Sequence, residues 1–545
     1  MKRSTLHDLA GQVFDLAIIG GGITGAAAAR DAALRGLSVA LFEKHDFASG
    51  TSSRSTKLLH GGLRYLQSYQ FRLVREACRE RELMLRLAPH LAHVRPFIYL
   101  IYAGYPESMA LLNLGLTVYD LFSGSPLKRR HRMLDRRALL DAEPHLNRDG
   151  LIGGGRYYDF LTDDARLTLD TLKGAVEAGA KAANYMEVTG LVWEGGRVAG
   201  VEVADRIAGG TATVRARQVI NAGGVWVDQV RALEEGARGR MLRPTKGIHI
   251  VLRKADFPLN HAVFLRSPRD NRVVWPIPAL DEGLVYIGTT DTDYQGPLDH
   301  VTATPEDVDY LLEVANHTIP DARVGHEHIV GTWAGLRPLI RPEGDRAASA
   351  VSREHQIVES PGGLLTIAGG KLTTARVMAQ QVVDAAVRRL AERAGLRGVP
   401  ASRTARVPLS GGAPEALEQA RRVAGSLDVA PGVRERWLGL YGGNLPKLAA
   451  IAAADPAAAQ DLGCHHLTLA EVRHAVQEEM ALTVSDFFVR RAAVFYWADD
   501  GGMRVAEAVA DEMARLLGWD EAERRRQLAE YRAWVAANRF TPVAT

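Results

Sequence analysis

The stretch FDLAIIGGGITGAAAARDAALRGLSVALFE, residues 14–43, decides the fold. A short apolar run of strand type, FDLAIIG, leads into Gly20, Gly22 and Gly25, which have G-x-G-x-x-G spacing. An alanine-rich helical segment follows and stops at Gly36, and LSVALFE reads as a second buried strand. Alone, such a glycine triplet is a weak signal. Here it lies between strand and helix, and Glu43 ends the next strand 18 residues after Gly25, so the unit predicts a dinucleotide site. The first glycine permits the tight turn, the second lets backbone approach a pyrophosphate, and the third lets helix pack on strand. The helix start at Ile23 and Thr24 offers free N–H groups and a partial positive charge to phosphates. Glu43 suits a ribose hydroxyl and disfavours a 2′-phosphate, which points to FAD or NAD rather than NADP. The fingerprint does not choose between those two. No second complete fingerprint follows, since VINAGGVWVD (219–228) and LLTIAGGKLTT (364–374) contain only glycine pairs. One dinucleotide is therefore expected, and the two further strand–glycine–helix corners suit a larger ligand running across the sheet edge.

The 545-residue chain is long enough for two or three domains with large cores. A net charge of +3 gives no prior for nucleic acid. The two cysteines, Cys78 and Cys464, are far apart, which argues against a disulfide framework and suits a reducing cytoplasm. No signal peptide is read at the N-terminus, and no window is apolar for long enough to span a bilayer. The nearest case is MALLNLGLTVYDLF (109–122), read first as a buried or domain-face helix. The basic run Lys128–Arg132 beside it keeps contact with a membrane surface as a second reading.

Beyond the opening unit, residues 71–88 and 163–180 read as helices, 186–220 as a β-meander, and 273–278 and 284–290 as strands. Thr304-Pro305-Glu306-Asp307 is a strong helix start. After about residue 400 strand-like runs vanish, and helix starts appear at Thr468 and Thr483. The expected division is a discontinuous nucleotide domain over 1–95, 150–235 and 355–400, a substrate or cap domain over 96–149 and 236–354, and a helical domain over 401–545.

At GTSSRSTKLLHGGLRYL (50–66) the chain resembles the FAD-dependent, aerobic, quinone-linked glycerol-3-phosphate dehydrogenase family. Further matches follow in order: YYDFLTDDARL (157–167), VINAGGVWVD, TKGIHIVL (245–252), VVWPIP (273–278), YIGTTDTDY (286–294), GLRPL (335–339) and GGKLTTAR (369–376). DFFVRRAAVFY (486–496) carries the match into the helical region. The resemblance implies an α/β architecture: a glutathione-reductase-like, Rossmann-type FAD domain, a mixed-sheet substrate domain and an all-helical C-terminal domain. It also implies the reaction. sn-Glycerol 3-phosphate gives hydride to FAD and becomes dihydroxyacetone phosphate, and electrons pass to ubiquinone or menaquinone at the cytoplasmic face of the membrane. The helical domain is a candidate homodimer surface.

The resemblance also places site residues. Arg64 and Tyr65 of HGGLRYL, with Arg353, match phosphate-binding positions, and Arg suits bidentate phosphate contact. Thr289 is grouped with them, and His60 orients the flavin or this loop. His249 matches an active-site histidine suited to take the hydroxyl proton. Arg337 matches an arginine on the reacting hydroxyl, and Lys371 a lysine near flavin and substrate that would favour anionic reduced flavin. Thr51, Ser52, Ser53, Ser55, Lys57 and Leu58 are expected along the cofactor, with Lys44 beside Glu43 and with Gly61 and Gly62. Ala222, Gly223 and Trp226 at the second corner, and Gly370, Leu372 and Thr373 at the third, complete the cofactor set. The bland alternatives are ion-paired surface arginines, a core histidine and capping threonines. Cys464-His465-His466 lacks further ligands at suitable spacing, so no metal is expected. Rival functions are a glycerol-3-phosphate oxidase using oxygen, an amino-acid oxidase of the same fold, and a non-catalytic flavin-binding, membrane-associated protein.

Overall fold

The computed structural model describes residues 1–234, 239–280, 283–341 and 354–539. The quoted stretch forms the strand Val13–Ile19, the helix Ile23–Leu34 and the strand Val39–Phe42. These strands run parallel, with Ala17 opposite Ala40, and Ala17 also faces Val219 on the strand Thr211–Asn221. The resulting eight-stranded sheet runs His355–Glu359, Leu365–Gly369, Thr211–Asn221, Val13–Ile19, Val39–Phe42, Lys181–Ala183, with the hairpin Met186–Glu194 and Arg197–Asp205 joined through Thr211–Asn221.

Small side chains make the helical layer thin. Ala26, Ala28, Ala29 and Ala32 are fully buried, so Ile23–Leu34 packs closely on Asp164–Glu177 and Ala375–Ala394. The meander covers the other face through Val201, Val203 and Val214. Gly20 lies at the carboxyl end of the first strand, between neighbours on both sides, which is where ligands bind in open α/β sheets.

A second, ten-stranded mixed sheet is built on the long pair Leu242–Arg253 and Ile329–Ile340 and on His93–Tyr102 against Leu151–Leu161. The strand Leu151–Leu161 belongs to this sheet, so the sheet boundary falls inside the segment 150–235 assigned above to the nucleotide domain. Thr304 forms the expected capping box with Asp307 at the start of Pro305–Thr318. From Pro414 to Asn538 the described residues form helices only. Thr468 caps Leu469–Glu479 as expected, but after Thr483 the stretch Asp486–Arg491 is a wider π-type helix.

Buried charge joins the C-terminal helices to the nucleotide domain. Asp46 accepts from Arg490 and Arg491, and Glu479 accepts from Arg166 and Lys173. Burial opposes ionisation of Asp46, but the two guanidiniums outweigh it and hold its carboxyl at about 2. Tyr496 donates to the Ser53 carbonyl (2.8 Å) and meets Trp333 edge-on at 5.5 Å. The loop carrying the candidate site residues is thus gripped from the helical side.

Candidate active site

Local chain geometry builds a nucleotide cradle first. Gly20 has φ +107°, and a Cβ there would stand 2.6 Å from the Ala222 carbonyl oxygen. Gly25 lies directly under the Gly20 carbonyl, leaving no room for a side chain. Gly22 precedes the helix without a side-chain cap, and the Ile23 N–H donates to Ser52 Oγ at 2.9 Å. Burial pushes the Glu43 carboxyl up, while N–H groups of His45 and Gly21 pull it down from 2.9 and 2.7 Å. Each donor takes one lone pair, so each Glu43 oxygen keeps another for a ribose hydroxyl. These close backbone approaches and a helix start without an N-cap side chain fit a dinucleotide.

The cradle opens into a cavity of about 390 Å³ whose lining also includes His249, Arg337 and Lys371. His249 sits mid-strand, between Gly288 and Trp333. Its ring stacks on Trp333 at 4.5 Å and 11°, and its Nε2 lies 3.0 Å from Thr56 Oγ1. Its buried Nδ1 has no hydrogen-bond partner among the described residues. Burial pushes the imidazole well below its usual 6.5, and the charges of Arg337 and Lys57 push it further. His249 is therefore neutral at pH 7, with one ring nitrogen able to accept a proton. Arg337 is aimed by the segment after Gly288: it donates to Asp291 (3.1 Å), Thr289 Oγ1 (2.6 Å) and the Thr290 carbonyl (3.1 Å).

Lys371 Nζ lies 3.8 Å from the centre of the Tyr65 ring, and the Arg64 guanidinium lies 5.1 Å from the same ring. Tyr65 thus links Arg64 to the cavity wall. His60 lies edge-on to Trp275 at 5.3 Å, and its N–H donates to Thr373 Oγ1 at 3.1 Å. The next N–H, of Gly61, donates to Tyr119 Oη at 2.7 Å.

Of the residues named from the sequence, Gly20, Gly22, Ile23, Thr24, Glu43, Lys44, Thr51, Ser52, Ser55, Leu58 and His60 line this one cavity. So do Ala222, Gly223, Trp226, His249, Arg337, Gly370, Lys371, Leu372 and Thr373. Gly25 supports the cradle from beneath. Arg64, Tyr65 and Thr289 stand one layer back, reaching Lys371 and Arg337 through the contacts above, and Gly62 lies beside Lys371, while Gly61 turns its N–H to Tyr119. Two expected cofactor contacts face the protein interior instead. Lys57 is drawn to Asp164 (2.6 Å) and lies over Tyr496, and Ser53 is fully buried. Arg353 lies outside the described residues.

Sequence reading missed Thr56, Trp333 and Asp291, which hold His249 and Arg337. Thr56 and Asp291 stood inside quoted motifs, but their partners are far along the chain. Arg54 was missed as well; it lines the cavity and lies 5.1 Å over Trp534. Among the described residues there is no cluster of metal ligands, and Cys78 and Cys464 are free and buried.

Residues 15–385 match the family model of FAD dependent oxidoreductases, and residues 402–524 match the C-terminal domain of alpha-glycerophosphate oxidase. The chain is 39% identical over 533 residues to an aerobic glycerol-3-phosphate dehydrogenase of Staphylococcus saprophyticus, covering 96% of this chain and 95% of the relative. It is 40% identical over 534 residues to the enzyme of that name from Bacillus subtilis, covering 95% and 93%. Among solved structures, the glycerol-3-phosphate dehydrogenase of Bacillus halodurans complexed with FAD superposes with a TM-score of 0.82 at 35% identity, covering 99% of this chain and 98% of that one. The L-alpha-glycerophosphate oxidase of Mycoplasma pneumoniae shares the fold, with a TM-score of 0.54 at 19% identity over 68% of this chain and 94% of that one. With the cradle, the cation-lined cavity and these matches in agreement, the chain belongs to the FAD-dependent oxidoreductases and, within them, to the aerobic glycerol-3-phosphate dehydrogenase family.

Proposed function

We propose that the cavity oxidises sn-glycerol 3-phosphate at C2 to dihydroxyacetone phosphate, and that the electrons leave to a membrane quinone, ubiquinone or menaquinone. The observation that carries this reading is the common cavity: its lining joins the dinucleotide cradle to His249, Arg337 and Lys371. The glycine loop, Glu43 and the corners at Ala222 and Gly370 would hold FAD, which when bound would supply the two-electron acceptor for the C2 hydride.

The chain's own residues do the rest. The neutral imidazole of His249 takes the hydroxyl proton. Arg337 stabilises the negative charge that develops on that oxygen. Lys371, with Arg64 behind the shared Tyr65 ring, attracts the phosphate; Arg353 is assigned to the same phosphate from sequence. Thr289 keeps Arg337 in place and His60 steadies the start of the loop. The amino-acid oxidase reading is weaker, because the wall presents cations suited to a phosphate dianion.

No helix among the described residues is long and apolar enough to cross a membrane, so access to quinone is assigned to peripheral contact at the cytoplasmic face. The match of residues 402–524 to an oxidase domain favours one competing acceptor, oxygen. Anaerobic mixing with sn-glycerol 3-phosphate tests the chemistry: the yellow FAD-loaded protein should bleach and regain its colour on adding quinone. No bleaching would refute an enzyme of this class. Peroxide formation matching substrate loss, without quinone reduction, would assign the oxidase reaction.

A further inference from the structure

The helix Met109–Ser123 buries Leu112, Leu116 and Tyr119 in the core and turns its other side to solvent. Leu111, Leu114 and Leu121 are 53%, 61% and 76% exposed, and Leu127, just past the helix, is 78% exposed. Spacings of three and seven residues place the three helical leucines on one side of the helix. Solvent-facing leucines in such a row need a partner that removes them from water.

The surrounding charge says which partner. Between Met109 and Arg137 there are six Lys and Arg residues and two Asp. Both acids are engaged: Asp120 lies 2.7 Å from His131 Nδ1, and Asp135 caps the helix Arg136–Ala142. Arg129 is paired with Glu82. Lys128, Arg130, Arg132 and Arg137 are exposed, with no ion pair among the described residues. The helix Phe71–Leu87, packed against this one, adds exposed Arg72, Arg75 and Arg79, and Tyr69 ahead of it is 81% exposed.

We infer that this face, the leucine row of Met109–Ser123 with Leu127 and the basic segment Lys128–Arg137, seats on an anionic lipid bilayer. Leucines enter the acyl boundary while the cations around them meet lipid phosphates. The inference rests on the peripheral-membrane reading above and adds which surface makes the contact. It places the bilayer behind the substrate loop, because Tyr119 on the inner side of the same helix holds the Gly61 N–H.

The test is flotation of the full FAD-loaded chain with vesicles of phosphatidylcholine alone or with one third phosphatidylglycerol. The protein should float with the anionic vesicles and be released by high salt. Leu111→Ser/Leu114→Ser/Leu121→Ser and Lys128→Glu/Arg130→Glu/Arg132→Glu should each lower vesicle partitioning by at least about tenfold. Anaerobic bleaching by sn-glycerol 3-phosphate should be unchanged in both, which shows that they are folded and loaded. Wild-type flotation that both variants retain would overturn this surface while leaving the membrane reading intact. No flotation of the wild type would overturn both. Loss of a dimer in the leucine variant, seen by sedimentation velocity, would make the face a protein interface and overturn the inference.

Discussion

Thr56 Oγ1 lies 3.0 Å from His249 Nε2, so the proposed base has one ring nitrogen engaged, while its buried Nδ1 has no hydrogen-bond partner among the described residues. The two residues are 193 apart in sequence, and the contact ties the cofactor-side loop to the second sheet. Trp333, stacked on the imidazole, fixes the ring plane, and its indole N–H donates to the Ser55 carbonyl at 3.2 Å. Orientation of His249 therefore comes from a threonine hydroxyl and an aromatic ring rather than from a carboxylate.

Thr56→Val keeps the volume and removes that hydrogen bond. One neutral hydrogen bond is worth about 1 kcal/mol, so the flavin reduction rate should fall roughly fivefold. Substrate Kd should barely move, since Thr56 touches no proposed phosphate ligand. Single-turnover stopped flow at several substrate concentrations separates the two. A changed Kd with an unchanged limiting rate would remove Thr56 from the positioning role.

The charge state of His249 makes a pH prediction. Burial, then Arg337 and Lys57, hold the imidazole well below 6.5, so the folded protein binds this proton less readily than the unfolded chain. The group contributes no pH dependence of stability above its unfolded pKa, and it favours unfolding as pH falls below that value. In catalysis the base stays deprotonated through neutrality. The acid limb of kcat/KM should therefore lie well below pH 6.5. Replacing the neighbouring cation, Arg337→Gln, should move that limb upward while lowering the rate. A limb near 6.5 that ignores Arg337 would belong to some other group.

Tyr119 supports from behind the loop that carries the proposed phosphate ligands Arg64 and Tyr65. Its hydroxyl accepts from Gly61 N–H and donates to Asp159 Oδ1, each at 2.7 Å, and Arg81 completes the buried set. In Tyr119→Phe the Gly61 N–H loses its best partner and Asp159 loses one donor while keeping Arg81, which costs about 1–3 kcal/mol of stability. The loop carrying Arg64 and Tyr65 should loosen. KM for sn-glycerol 3-phosphate should rise several-fold while kcat holds, and steady-state kinetics beside a thermal melt would show both. Equal loss of kcat and kcat/KM would mean that the hydroxyl acts on the reaction itself.

What could be read before folding was whatever chemistry requires of consecutive residues. The glycine loop and Glu43 are legible because turn, helix start and ribose acceptor follow one another along the chain. His249, Arg337 and Lys371 were recognisable through ordered motifs, and all three line one cavity. Thr56, Asp291 and Tyr119 were not, since their roles depend on partners that only sheet register and helix packing supply. Lys57 misled for the same reason, because a lysine in a cofactor motif reads as a ligand until Asp164 is found 2.6 Å away. The stretch after Thr483 looked like an ordinary helix start, yet Arg490 and Arg491 both reach Asp46, a demand local propensity does not reveal. The segment 109–122 reads as a buried helix by hydropathy alone, and only the packing shows which leucines face out.

Gly25 offers a test of the cradle that does not depend on turnover. A methyl group there would collide with the Gly20 carbonyl, and backbone cannot swing aside as a flexible side chain can. Gly25→Ala must therefore push the Ile23–Leu34 helix away from the first strand, taking the N–H groups of its first turn away from the pyrophosphate position. The protein should purify with little bound flavin, and titration of apoprotein with FAD should show an affinity at least about a hundredfold weaker, a loss of about 3 kcal/mol. Because Ala28, Ala29 and Ala32 hold the rest of the helix in the core, its circular dichroism should stay near that of the wild-type apoprotein. Full flavin retention by a folded Gly25→Ala protein would mean that the cofactor is not held at this loop.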